Sequence, residues 1–61
     1  MNIQNAYRVR LLSLDLFLNG EHKDLNEAIL RAKRTGYECG IYNGTELICA
    51  LKPDKHVSFV N

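Results

Sequence analysis

The chain has 61 residues, two cysteines and a formal net charge of +1 at pH 7. A chain of this length forms one small domain, here residues 1–61, and buries only about 60% of the surface that its unfolded form exposes. The net charge is too small, and the charges too mixed along the chain, for a protein that binds nucleic acid mainly through its overall charge. There is neither a long apolar run nor an export signal, so we expect a cytoplasmic protein without a membrane segment.

The segment AYRVRLLSLDLFLNG, which follows the polar residues 1–5, has two interpretations. As a bulged strand it alternates through Tyr7, Val9 and Leu11, slips by one residue and alternates again. As a helix near residues 6–18 it has a suitable length, is rich in Leu and Arg, and ends at Asn19-Gly20 as a C-cap. We favour the helix. Residues 1–5 and 60–61 are expected to be frayed.

A helix in this segment would be apolar on two sides. One stripe would contain Tyr7, Leu11, Leu14 and Leu18, and the nearly opposite stripe would contain Val9, Leu12 and Leu16. The small remainder of the chain can cover one stripe but not both. The second stripe therefore predicts self-association, as a homodimer joined mainly through this helix.

The next segment has well-defined signals for a helix from Asp24 to about Thr35. Asp24 is suited to the N-cap position, and Gly36 can adopt the left-handed conformation that ends a helix. Leu30 points away from the apolar stripe that the helix should bury. That stripe consists of Leu25, Ala28, Ile29 and Ala32.

A β-hairpin is predicted to follow, because Asn43-Gly44 suits a type I′ turn. A two-residue loop at this position would place Tyr42 opposite Thr45. In that register Cys39 and Cys49 lie on opposite faces, where a disulfide cannot close, so we expect two reduced thiols.

The remainder of the chain reads as a turn at Lys52-Pro53-Asp54-Lys55 and a short alternating segment at residues 56–60. The predicted fold class is therefore α+β, with two helices followed by an antiparallel β-hairpin. If residues 56–60 pair with the hairpin, it becomes a three-stranded meander.

Chemistry at a metal or catalytic site is not predicted. Four residues are of the types that bind zinc, namely His22, Cys39, Cys49 and His56, but they lack the paired spacing of a structural zinc site. Neither cysteine lies at a helix N-terminus, and no glycine-rich phosphate loop is present. We expect no enzyme activity, no cofactor and no small-molecule substrate.

Apolar residues outnumber the positions that a core of this size can absorb, which predicts a non-enzymatic interaction protein. Its partner is either a second copy or an unidentified protein. Chains of this size are frequent among accessory genes of bacteriophages and mobile elements, which suggests a regulator or inhibitor. The candidate interaction residues are Val9, Leu12, Leu16, Leu30, Tyr42, Leu47 and Leu51.

A DNA-binding regulator is the alternative function. Its candidate nucleic-acid contacts are Arg31, Lys33 and Arg34 at the end of the second helix, where the helix dipole also favours positive charge. The two functions differ in salt dependence, because phosphate contacts weaken steeply with salt and an apolar interface does not.

Overall fold

A computed structural model of the protein describes residues 5–54 and 56–60. In chain order, its elements are β1 (Tyr7–Leu11), β2 (Leu16–Phe17), α1 (Leu25–Thr35), β3 (Cys39–Asn43), β4 (Glu46–Leu51) and β5 (Val57–Phe59). The five strands form one antiparallel sheet in the order β2-β1-β3-β4-β5. The helix packs on one face of this sheet, over β1, β3 and β4.

The predicted α+β fold with two helices is wrong, because the described residues form one helix and a five-stranded antiparallel sheet in a mostly-β domain. The error lies in the first segment. Residues 7–17 form a hairpin, in which the amide of Asp15 donates to the carbonyl oxygen of Leu12 across the turn and Asp15 adopts a positive φ of 52°. Asp is one of the few non-glycine residues that tolerate this conformation. The chain length that favoured a helix is thus divided between two strands and a turn.

The helix beginning after Asp24 is confirmed. The Asp24 side chain accepts a hydrogen bond from the backbone N–H of Asn26 at 2.8 Å, and Gly36 ends the helix with a φ of 73°. Ala28 and Ala32 are buried against the sheet. Because these side chains are small, the helix backbone can approach the strands closely.

The hairpin of β3 and β4 is confirmed, but its predicted register is wrong. The closing pair is Asn43 and Glu46, and Tyr42 lies opposite Leu47 rather than Thr45. The pairing then shifts, so that Ile41 lies opposite Cys49 and Ile48 is an extra residue on β4, as in a β-bulge. Beyond the bulge each β4 side chain lies on the face opposite to the one that an unbroken ladder would give it.

The bulge determines which side chains form the core. Cys49 and Leu51 turn toward the helix, on the same face as Cys39 and Ile41, so the prediction that the two cysteines lie on opposite faces is also wrong. The helix-facing side chains form two rows across the strands. One row is Leu16, Leu11, Cys39, Leu51 and Val57, and the other is Val9, Ile41, Cys49 and Phe59.

The last part of the chain forms the third strand of a meander, since β5 pairs with β4 after a turn at Pro53 and Asp54. Lys55, which was assigned to this turn, lies outside the described residues. The predicted fraying at residues 1–5 and 60–61 also falls largely outside them. Asn5 and Val60, which lie within, each form a hydrogen bond to the sheet, to Asn43 and Ile48 respectively.

The helix spans 11 residues and carries charged side chains. Within residues 5–54 and 56–60, no helix is sufficiently long and apolar to cross a membrane.

Removing the N-cap should destabilise the domain. We expect Asp24→Ala to lower the free energy of unfolding by about 1 kcal/mol, because the N–H of Asn26 loses its acceptor. Asp24→Asn, which retains a side-chain oxygen, is the matched control and should lie near the wild type. Denaturant unfolding measures both, and equal loss in the two variants would contradict the capping role.

Ionisation of Cys49 should make the domain less stable in alkali. Burial raises the pKa of this thiol above its ordinary value of 9.0, so the folded state favours the neutral form. The contribution of the neutral buried thiol to the free energy of unfolding is fully present below about pH 9. It is lost at higher pH, because the thiol ionises at a lower pH in the unfolded chain than in the folded one. The free energies of unfolding of wild type and of Cys49→Ala, measured with denaturant, should therefore converge as the pH rises above about 9. Parallel pH profiles would contradict the assignment.

Candidate binding surface

The face of the sheet opposite to the helix, here called the open face, carries no secondary-structure element within the described residues. Strand pairing arranges its side chains in rows, as it does on the helix side. One row is Phe17, Arg10, Gly40, Ala50 and Ser58, and a second is Arg8, Tyr42 and Leu47. The open face therefore combines cationic, aromatic and aliphatic side chains.

An arginine and two aromatic rings form the centre of this face. The guanidinium carbon of Arg8 lies 4.4 Å from the ring centroid of Phe17, within the range of a cation–π interaction. The rings of Phe17 and Tyr42 meet edge to face, with centroids 5.5 Å apart. These three side chains are half-buried. Their packing fixes the position of the Arg8 guanidinium.

Arg10 has a different environment, because its guanidinium is already paired. One terminal nitrogen forms an ion pair with Asp15, and the other donates a hydrogen bond to the hydroxyl oxygen of Tyr42 at 3.2 Å. The guanidinium carbon also lies 5.7 Å from the ring centroid of Phe17. Arg10 thus holds the β1–β2 turn and both aromatic rings together.

Gly40 forms the floor of the open face. A Cβ atom at this position would lie 3.1 Å from Cε1 of Tyr42, 3.2 Å from Cδ1 of Leu47 and 3.4 Å from Cδ2 of Leu12. The first two distances are shorter than ordinary van der Waals contact. The three side chains therefore lie close to the backbone of β3, and a Cβ atom at this position would make Tyr42 and Leu47 shift by a few tenths of an ångström.

The structure separates the seven candidate interaction residues into three groups. Leu12, Tyr42 and Leu47 come together on the open face, around Gly40. Val9 and Leu51 are 0% and 1% exposed and belong to the core, so they offer no surface to a partner. The other two, Leu16 and Leu30, are 52% and 55% exposed and lie on β2 and α1 respectively.

The candidate nucleic-acid contacts lie on the helix. A terminal nitrogen of Arg31 donates to the carbonyl oxygen of Asn19 and lies 3.3 Å from Nε2 of His22. Arg34 is exposed and Lys33 is half-buried. A shallow depression on this side is lined by His22, Glu27, Leu30, Arg31 and Arg34. The carboxylate of Glu27 opposes an incoming phosphate there.

The four residues of metal-binding type do not form one site. Both thiols are buried in the core, whereas His22 is joined by backbone hydrogen bonds to Tyr7 and His56 is exposed before β5. Among residues 5–54 and 56–60, no three His, Cys, Asp or Glu side chains are grouped so that they could hold a metal ion.

Three residues of the open face were not among the candidate site residues that the sequence predicted, namely Arg8, Arg10 and Phe17. A signal for two of them exists, because Arg8 and Arg10 alternate with the apolar Val9 and Leu11, as they would on a strand with two different faces. Phe17 has no comparable signal, since its place beside Arg8 and Arg10 results from the turn between β1 and β2.

Comparisons of this chain with protein-family models, with curated proteins and with solved structures found no match.

Adding a methyl group at Gly40 should disturb the open face. Gly→Ala normally stabilises a strand, but here we expect Gly40→Ala to lower the free energy of unfolding by about 1–3 kcal/mol through overpacking. In a double-mutant cycle with Leu47→Ala, the loss should be smaller than the sum of the two single losses, because truncation of Leu47 removes one of the short contacts. Denaturant unfolding measures the cycle, and strict additivity would refute the contact.

Proposed function

We propose that this protein is a non-enzymatic binding protein whose open face recognises a segment of another protein that presents a carboxylate beside apolar side chains. The observation that carries the proposal is the Arg8 guanidinium held on the ring of Phe17 at 4.4 Å. A cation fixed in this way is ready to bind a carboxylate without first being ordered.

The contact with Phe17 leaves the hydrogen-bonding capacity of Arg8 unused, because an aromatic ring attracts the cation through its π face and offers the N–H groups no oxygen acceptor. Within residues 5–54 and 56–60, Arg8 has neither a hydrogen-bond acceptor nor an ion-pair partner, whereas Arg10 has both. Arg8 is therefore the cation that can engage a ligand, and a carboxylate matches its geometry in a bidentate pair.

The surroundings of Arg8 favour a protein partner. Tyr and Arg are the residue types most enriched at the energetically dominant positions of protein interfaces, and here they adjoin Phe17, Leu12 and Leu47. These aliphatic and aromatic groups would bury apolar side chains of the partner around the central ion pair. The remaining contacts with the partner would then depend on shape complementarity rather than on charge.

Nucleic-acid binding is supported less well. Arg31 already donates to Asn19, and Glu27 lines the same depression, so the helix end offers little net attraction to phosphate. On the open face, Arg10 is neutralised by Asp15. A DNA-binding regulator therefore remains the second candidate, and it is separated from the first by its response to salt.

The proposal extends to the setting in which the protein acts. A reducing cytoplasm suits a chain with two buried thiols in its core. There the protein would act as an accessory regulator or inhibitor, of the kind that bacteriophages and mobile elements encode, by occupying a surface of its partner.

Selection from a random peptide library displayed on phage tests this function. Peptides that bind the wild-type protein should be enriched in Asp or Glu next to large apolar residues. Arg8→Ala should weaken the binding of a selected peptide by about tenfold to a hundredfold, the effect of losing a charge-assisted hydrogen-bonded pair. Arg8→Lys, which keeps the charge but loses the planar pair of N–H donors, should bind the peptide with an intermediate affinity.

The control is Arg34→Ala, which removes an exposed arginine from the helix and should leave peptide affinity unchanged. Selected peptides that lack acidic residues, or that bind Arg8→Ala as well as wild type, would overturn the proposal. A parallel titration with single-stranded and duplex oligonucleotides at two salt concentrations tests the second candidate. Salt-sensitive oligonucleotide binding that is lost in Arg31→Ala/Arg34→Ala, without peptide binding, would favour it.

A further inference from the structure

The edge of the sheet formed by β5 exposes apolar side chains and backbone groups that another strand could pair with. The outer strand β5 carries Phe59, which is 57% exposed, and is followed by Val60, which is 53% exposed. Natural edge strands are normally protected by charged residues, proline, a bulge or extreme shortness. The opposite edge strand, β2, has only two residues. Strand β5 has three, but backbone hydrogen bonds at His56 and Val60 extend its pairing with β4 on both sides, and residues 57–60 contain neither a charge nor a proline.

The hydrogen bonds of β5 show which backbone groups remain available. The N–H of Lys52 donates to the carbonyl oxygen of His56 at 3.0 Å, and the N–H of Val60 donates to the carbonyl oxygen of Ile48 at 2.9 Å. In an antiparallel ladder every second residue bonds inward. Since His56 and Val60 bond toward β4, the N–H and C=O groups of Val57 and Phe59 point outward.

We propose that a second copy of this chain pairs with this edge, strand β5 against strand β5, to form a dimer with one continuous ten-stranded sheet. Antiparallel pairing about a twofold axis at Ser58 places Val57 opposite Phe59 of the second copy. The outward groups of these two residues then exchange two hydrogen bonds, and the symmetry gives four in total. The edge is thus self-complementary in its hydrogen bonding.

Side-chain positions agree with this arrangement. Val57 lies opposite Leu51 and Phe59 opposite Cys49, so both face the helix side of the sheet. In the dimer, Val57 and Phe59 of the two copies form a cluster that continues the core across the axis. On the open face, Val60 of one copy lies opposite His56 of the other.

The proposed dimer interface lies at β5. The sequence predicted an interface on a helix near residues 6–18, but that segment forms the β1–β2 hairpin. The edge is separated by β3 and β4 from the strands β1 and β2 that carry Arg8 and Phe17, so a peptide can bind at Arg8 whether or not the edge is paired. The partner is a second copy because twofold pairing at Ser58 also brings the apolar side chains Val57 and Phe59 of the two copies together on the same face, where Phe59 is otherwise exposed.

Sedimentation velocity from micromolar to submillimolar concentration tests the dimer. We expect reversible association that Phe59→Thr weakens by about tenfold, since the variant keeps the N–H but loses the ring. Phe59→Pro, which removes an outward N–H while sparing the ladder to β4, should also weaken it strongly. Leu30→Ala is the matched control, because Leu30 has a similar exposure on the helix and should not affect association.

Amide hydrogen exchange gives a second readout that does not depend on the variants folding. The amides of Val57 and Phe59 should gain protection as concentration rises, whereas those of Ser58 and Val60 should be protected at all concentrations. A monomer across the whole range would overturn the proposal. So would a dimer that is insensitive to both Phe59 variants, or concentration-dependent protection elsewhere than at Val57 and Phe59.

Discussion

The architecture depends on one helix covering one face of the sheet. The helix contacts β1, β3 and β4, and within residues 5–54 and 56–60 no element covers the two edge strands or the opposite face of the sheet. The proposed binding surface and the proposed self-pairing edge lie in these uncovered parts. In a larger domain, a second layer would cover them.

The bulge at Ile48 reconciles a tight hairpin with a well-filled core. Without it, the register set by the turn would bury Ile48 and Ala50 and place Cys49 and Leu51 on the open face. With it, Leu51 and Cys49 pack beneath Ala28 and Ala32 of the helix, and the small Ala50 lies on the open face beside Gly40. One extra residue thus decides both what the core contains and how much space the open face leaves around Tyr42 and Leu47.

Strand β1 has two different sides, one that stabilises the core and one that carries the proposed binding residue. Val9 and Leu11 of β1 enter the core, while Arg8 and Arg10 of the same strand lie over Phe17. Arg10 is paired and positions the surrounding side chains, whereas among residues 5–54 and 56–60 no acceptor bonds to the Arg8 guanidinium. A division of this kind follows from the two-residue period of a strand, because neighbouring residues on the chain face different environments.

The sequence by itself determined the elements whose signals are local: the helix with its Asp24 cap and Gly36 end, the hairpin near Gly44, and the alternation of β5. Tertiary structure decided the rest. Residues 7–17 fit a helix by length, and they form a hairpin because β1 pairs with β3 far along the chain and Asp15 accepts a positive φ. The register of β4 was likewise set by burial under the helix. Leu12, Tyr42 and Leu47 were recognisable from their apolar character, but their meeting at Gly40, and the addition of Arg8 and Phe17, required strand pairing that no local pattern encodes.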